Sequence, residues 1–240
     1  MSIIDHVREY IESRKYIYIV DLVEYLRRKD IQFEDETVKK YLYRLKEAEE
    51  IYDAGRKWYS TIEKQYTLKT EPVREFTEKL DQKFPFLEFS VWSTRQISSH
   101  YHHLPGKFLT FIYSEKQTED AVRDFLVDEG LHVYLDPKKG EIDKNFRFER
   151  DTYIIRSAIQ KEPKKKHFAR IEKILVDLFV EMAKFNFMDE AEYEHVFLEV
   201  VANYRINIAK LLRYGKIRNT RLEIENYVQK IAEGKRIGYR

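Results

Sequence analysis

Apolar residues near the start of the chain fall first at helical and then at alternating spacing. Ile3, Ile4, Val7, Tyr10 and Ile11 recur at the i, i+3, i+4, i+7 interval of a helix with one buried face. Ser2, with Asp5 three residues on, stands as its N-cap, close to a capping box. Tyr16-Ile17-Tyr18-Ile19 alternates as a short extended piece. Asp21 then opens a second helix carrying Leu22, Val23 and Leu26, and Arg27-Arg28-Lys29 at its end suits the negative pole of the helix dipole. A third helix starts near Asp35 or Glu36 with Val38, Leu42 and Leu45 as its stripe and Tyr41 alongside. Ile51 to Tyr59 reads as two short strands around a turn at Asp53-Ala54-Gly55.

After a polar connector, the spacing of Val73, Phe76 and Leu80 predicts a helix over 74–84. Strands follow at 86–92, 108–113, 131–135 and 152–156. Between them lie a helix from Thr94 through His103 and another from Thr118 that ends at Gly130. Strands alternating with helices indicate an α/β layer around a small sheet, although its strand order is not readable. Three further helices are expected at 171–184, 190–203 and 207–214. The predicted fold class is α+β or α/β. An N-terminal domain (1–62), a linker and connecting helix (63–84) and a larger domain (85–240) with a mixed sheet and a C-terminal helical bundle make up the chain.

Helix, strand, helix, helix and hairpin is the order of a winged helix. Residues 37–46 with Ile51 and Trp58-Tyr59 resemble the "TVxxYLxRLxxxxxI…GxWY" pattern of winged-helix transcription factors. In such a domain the third helix enters the major groove, which is about 12 Å wide, and the wing reaches flanking backbone. Thr37, Lys39, Lys40, Tyr43, Arg44 and Lys46 on helix 35–48, and Arg56 and Lys57 on wing 51–59, are the candidate DNA-binding residues. A solvated charged face is the alternative for the cations, and a helix-terminal hydrogen bond for Thr37. The acids Glu34, Glu36, Glu47, Glu49 and Glu50 leave room for a protein-docking module instead.

Composition narrows the rest. The chain has 240 residues and a net charge of +2, so its overall balance does not announce nucleic acid. Twelve Lys/Arg stand against thirteen Asp/Glu in residues 1–62, whereas ten stand against three from Arg205 onward. Arg205, Lys210, Arg213, Lys216 and Arg218, with Arg221, therefore form a second candidate basic surface. Arg205 and Asn207 have the alternative of fixing helical packing from within. The absence of cysteine excludes disulfides and thiolate zinc sites. No apolar run approaches the 18 or so residues of a membrane span, and the first residues carry no signal pattern, so a cytoplasmic protein is expected.

Enzyme chemistry finds little support. His100, His102 and His103 cluster, but only His100 and His103 share a helical face, and no metal is expected. Asp136, Glu141, Glu149 and Asp151 are the candidate acids of a magnesium nuclease, a reading the sequence does not favour. Phosphate-loop and hydrolase motifs are absent. No catalytic residue and no cofactor are assigned.

Phe89-Ser90-Val91-Trp92-Ser93-Thr94, with the strand–helix–strand unit after it, and Asn203 to Arg218 add a further likeness. With the winged helix in front, they resemble antitoxins of the AbiEi type, from abortive-infection toxin–antitoxin systems. The final segment is similar to that family's "RxNxxxLLxYAxRR" ending, departing from it at Gly215 and Ile217. The resemblance implies a transcriptional autorepressor that binds an inverted repeat in its own promoter. It implies a nucleotidyltransferase-like toxin as partner, and binding to the repeat suggests a homodimer. The alternative is a module that docks such a partner protein directly.

Overall fold

The Ser2 hydroxyl accepts from the Asp5 amide at 3.4 Å, and the Asp5 carboxylate accepts from the Ser2 amide at 2.8 Å. This box satisfies donors that the first turn of helix α1 (Ile3–Glu12) would leave bare. The same bonds hold the Asp5 carboxyl below its usual range. The computed structural model describes residues 2–103, 107–138, 140–142 and 151–232. After α1 come β1 (Tyr16–Tyr18), α2 (Ile19–Arg28), α3 (Asp35–Glu47), β2 (Tyr52–Asp53) and β3 (Trp58–Ser60). Helix α2 starts two residues before Asp21, without a side-chain cap. The reason is tertiary: the Ile19 amide donates to the Lys57 carbonyl at 3.0 Å, so the hairpin does the work of a cap.

Strands β1, β3 and β2 pair antiparallel in that order, with Tyr16 and Tyr52 flanking Ser60. Val7, Ile11, Leu22, Leu26, Val38, Leu42, Leu45 and Ile51 share one apolar core with Tyr10 and Ile17. Each helix supplies it from the stripe read in its sequence.

The next elements are α4 (Glu71–Lys83), β4 (Phe89–Ser93), a 3-10 helix (Thr94–His100) and β5 (Leu109–Ser114). Then come α5 (Glu119–Asp128), β6 (His132–Leu135), β7 (Thr152–Ser157), β8 (Lys164–Lys165), β9 (Phe168–Ala169) and α6 (Ile171–Phe185). The six strands form a mixed sheet in the order β6-β7-β5-β4-β9-β8, with β5 parallel to β7 and antiparallel to β4. The central strands are covered on both faces, which is why β5 is an unbroken buried run rather than an alternating one. Ile112 and Ile155 pack with Val73 and Leu80 of α4 and Val122 and Leu126 of α5. On the other face Phe111 meets Phe185 edge-on at 6.0 Å, and the Tyr113 hydroxyl donates to Glu181 at 3.4 Å.

The helix expected from Thr94 to His103 is a shorter 3-10 helix, and its cap is Ser93. The Ser93 amide donates to Gln96 Oε1 at 2.9 Å, while the Thr94 hydroxyl instead accepts from the Leu109 amide at 3.0 Å. The strand expected from Phe86 begins at Phe89. Leu87 turns back to the Phe84 carbonyl at 3.0 Å, which leaves Phe86 97% exposed.

Helices α7 (Glu190–Asn203), α8 (Ile208–Ile217) and α9 (Arg221–Ala232) complete the described chain. The sequence pattern does not predict α9, and Asn207 caps α8 by accepting from the Lys210 amide at 2.9 Å. The protein is thus a mixed α/β chain with a mixed sheet and C-terminal helices. It divides into two compact units, residues 2–66 with 197–232, and residues 67–196. Among the described residues no helix is long and apolar enough to cross a membrane.

Within the first unit the C-terminal segment is tied to the N-terminal sheet. The buried Tyr16 hydroxyl donates to the Tyr204 carbonyl at 2.8 Å and accepts from the Ile206 amide at 3.1 Å. Residues 64–66 pair with Arg205 through its amide (2.8 Å to the Lys64 carbonyl) and carbonyl (3.1 Å from the Tyr66 amide). Tyr66 packs edge-on against Tyr204, and burial pushes its phenol up to about 12.

Candidate nucleic-acid interface

Helix α3 buries Val38, Leu42 and Leu45 and turns its remaining side chains outward. At about 100° per residue, Glu36, Lys40, Tyr43 and Glu47 lie opposite that buried stripe. Lys39 and Lys46 line one flank of this outer face, and Thr37 and Arg44 the other. Lys39, Lys40, Tyr43, Arg44 and Lys46 are all exposed, and Thr37 is half-buried. Lys39 pairs with Glu36 at 2.5 Å, which holds the Glu36 carboxyl below its ordinary range. The Arg44 guanidinium lies 5.9 Å from the Tyr41 ring. The Thr37 amide donates to the Glu34 carbonyl at 2.8 Å, and no side chain caps the helix.

Arg56 and Lys57 are exposed on the turn between β2 and β3. The turn is closed tightly. Asp53 accepts from the Gly55 amide at 2.7 Å, Gly55 accepts from the Trp58 amide at 2.8 Å, and Trp58 stacks on Tyr18 at 4.8 Å. Gly55 has φ +109°, and a Cβ there would lie 2.3 Å from Asn207 Oδ1 and 2.8 Å from Ala209 Cβ. The hairpin turn therefore rests on the first turn of α8, and only glycine permits that approach.

The second set of cations differs in exposure. Arg213 and Lys216 are exposed on α8, while Lys210 and Arg218 are half-buried. Arg205 lies outside the helix with its guanidinium 4.6 Å over the Tyr52 ring, and its backbone pairs with residues 64–66. Arg205 and Asn207 thus take packing positions, the former against β2 and the latter as helix cap and hairpin support. The fastening role of Tyr16, Tyr66 and Tyr204 carried no sequence signal, because nothing local distinguishes a tyrosine whose hydroxyl is used from one that is merely buried. Gly215 is sterically neutral. A Cβ there would sit 3.5 Å from Arg221 Cα and 3.6 Å from Ile224 Cγ1, so an alanine fits.

The candidate acids and histidines fall elsewhere. Asp136 pairs with Arg156, the Glu141 carboxylate accepts from the Lys138 amide at 2.9 Å, and Asp151 pairs with Arg95 at 2.7 Å. Glu149 lies outside the described residues. His102 stacks on His195 at 3.6 Å, with the His103 ring 6.4 Å away. Among the described residues no three His, Asp or Glu side chains are grouped to hold a metal ion.

Residues 37–234 match the model of a family of unknown function, DUF6577. The chain belongs to that family. The matched span opens at Thr37, on α3, and takes in the hairpin, the six-stranded sheet and α7 to α9. No curated protein matches the chain.

Proposed function

We propose that residues 1–62 are a winged helix-turn-helix and that the protein is a DNA-binding transcriptional autorepressor, with α3 in the major groove and the β2–β3 turn on flanking backbone. The observation that carries the reading is the outer face of α3. Its two flanks bear cations, Lys39 and Lys46 on one side and Arg44 on the other, and the helix is followed at once by a hairpin tipped with Arg56 and Lys57. A helix with cations on both flanks suits a groove bordered by two phosphate strands. The likeness of residues 203–218 to the AbiEi-type ending supports an antitoxin role beside a nucleotidyltransferase-like toxin, acting in the cytoplasm on the protein's own promoter. An inverted repeat there would be bound by two copies. The reading requires no catalytic residue and no cofactor.

A mobility-shift titration tests this, using the protein's own upstream region beside a scrambled duplex at two salt concentrations. Selective binding that weakens with salt is expected, with a log–log slope of about one per phosphate contacted. The double variant Arg44→Ala, Arg56→Ala should bind more weakly with a shallower slope. Equal, weak binding to both duplexes would sink the proposal and favour a protein-docking role, for which the acids Glu36 and Glu47 on the same face would then account.

A further inference from the structure

Tyr43 is the exception on the outer face of α3. It is 63% exposed, a large aromatic side chain at the middle of the helix, and among the described residues it makes no hydrogen bond or ring contact. Lys40 precedes it by one turn and Glu47 follows by one turn, while the flanking rows hold Lys39, Lys46, Thr37 and Arg44. An exposed ring gains nothing from water, whereas each neighbour is a charged or hydroxyl side chain that water solvates well.

We propose that Tyr43 is the residue through which α3 reads sequence, by packing its ring on the C5 methyl of a thymine in the major groove. The inference rests on the DNA-binding reading above and adds to it a specific base and a specific contact. The positions within the helix carry the argument. Side chains on the two flanks of a helix lying in the groove face the two phosphate strands, and those on the midline face base edges. Lys39, Lys46 and Arg44 therefore position the helix, and Tyr43 meets the bases. Of the groups displayed in the major groove, the thymine methyl is the apolar one. A tyrosine ring offers it a matching apolar surface and, having only two side-chain torsions, loses little freedom in doing so. Lys40, one turn earlier on the same midline, is placed to donate to a neighbouring purine.

The test uses the full chain and a pool of random duplexes. After rounds of selection, the enriched duplex is resynthesised with uracil in place of each thymine in turn. This removes the methyl and preserves base pairing. The wild-type protein should lose affinity about fourfold at one or two thymines, the worth of one buried methyl each, and little at the others. Tyr43→Ala should bind with the same salt slope yet lose that methyl sensitivity, and Tyr43→Phe should retain it. Wild-type binding that is indifferent to uracil at every thymine overturns the proposal, as does a Tyr43→Ala variant that stays as methyl-sensitive as wild type. In either case the DNA-binding reading survives. If the wild-type protein enriches no duplex at all, both fall.

Discussion

In residues 67–196 charge is hidden. Lys173 is fully buried, 2.7 Å from Asp177 and 3.0 Å from Glu162, with its ammonium 3.4 Å from the centre of the Tyr113 ring. Arg156 reaches Glu181 at 2.8 Å on the same helix and also pairs with Asp136. In residues 2–66 and 197–232 no charged side chain among those described is buried, and the core is aliphatic and aromatic. Both regions are rich in Lys, Arg, Asp and Glu, so the difference lies in placement. Ions removed from water must be paired where they stand, and they then serve the packing of α6 on the sheet. Ions left outside stay in water, where pairs such as Arg8 with Glu50 and Lys29 with Glu9 add little to stability. Residues 67–196 thus use charge inside the packing, and residues 2–66 with 197–232 carry theirs at the surface.

The largest expected effect sets one lysine against another. Lys173→Ala removes the buried ammonium that pairs with Asp177 and Glu162 and should destabilise the protein by about 3–5 kcal/mol. Lys40→Ala, on the exposed face of α3, should change stability by less than about 0.5 kcal/mol. Chemical denaturation followed by circular dichroism measures both, and similar values for the two variants would erase the contrast between the regions.

A smaller effect is expected where the first region depends on close backbone approach instead of charge. Gly55→Ala places a Cβ against Asn207 and Ala209 at a positive φ, and should cost about 1–3 kcal/mol. A thermal melt unchanged from wild type would mean that the hairpin turn does not rest on α8.

The smallest effect is a pH dependence. Burial raises the Tyr66 phenol to about 12 in the folded state against an ordinary value of 10. The unfolded chain ionises first, so this contribution is complete below pH 10 and is lost as the pH climbs from 10 toward 12. Denaturation midpoints measured at pH 9 and pH 11 should fall less for Tyr66→Phe than for wild type. Equal falls would place the titrating group elsewhere.

Much of the local structure was legible in the sequence. The Ser2–Asp5 box, the stripes of α1 and α3 and the turn at Asp53–Gly55 all come from residues a few positions apart, whose spacing records which face is buried. The strands β8 and β9, two residues each, and the helix α9 left no such record. Candidate site residues on α3 could be assigned to an exposed face for the same reason, since the buried stripe defines its opposite.

Arg205 and Lys173 show where that logic stops. Arg205 counts in the sequence as one cation of a basic cluster, and in the structure it lies over Tyr52. Lys173, spaced four residues from Asp177, reads as half of a solvated helical pair and is in fact fully buried. The sequence by itself determined most of the helices and strands and the outward set of α3, because propensity, capping and periodicity act over one or two turns. The tertiary structure alone decided the strand order of the mixed sheet, which charges lie inside, and that residues 197–232 join the first sixty-six. These depend on contacts between positions up to about 190 residues apart, such as Tyr16 with Ile206, and no local pattern encodes a partner at that distance.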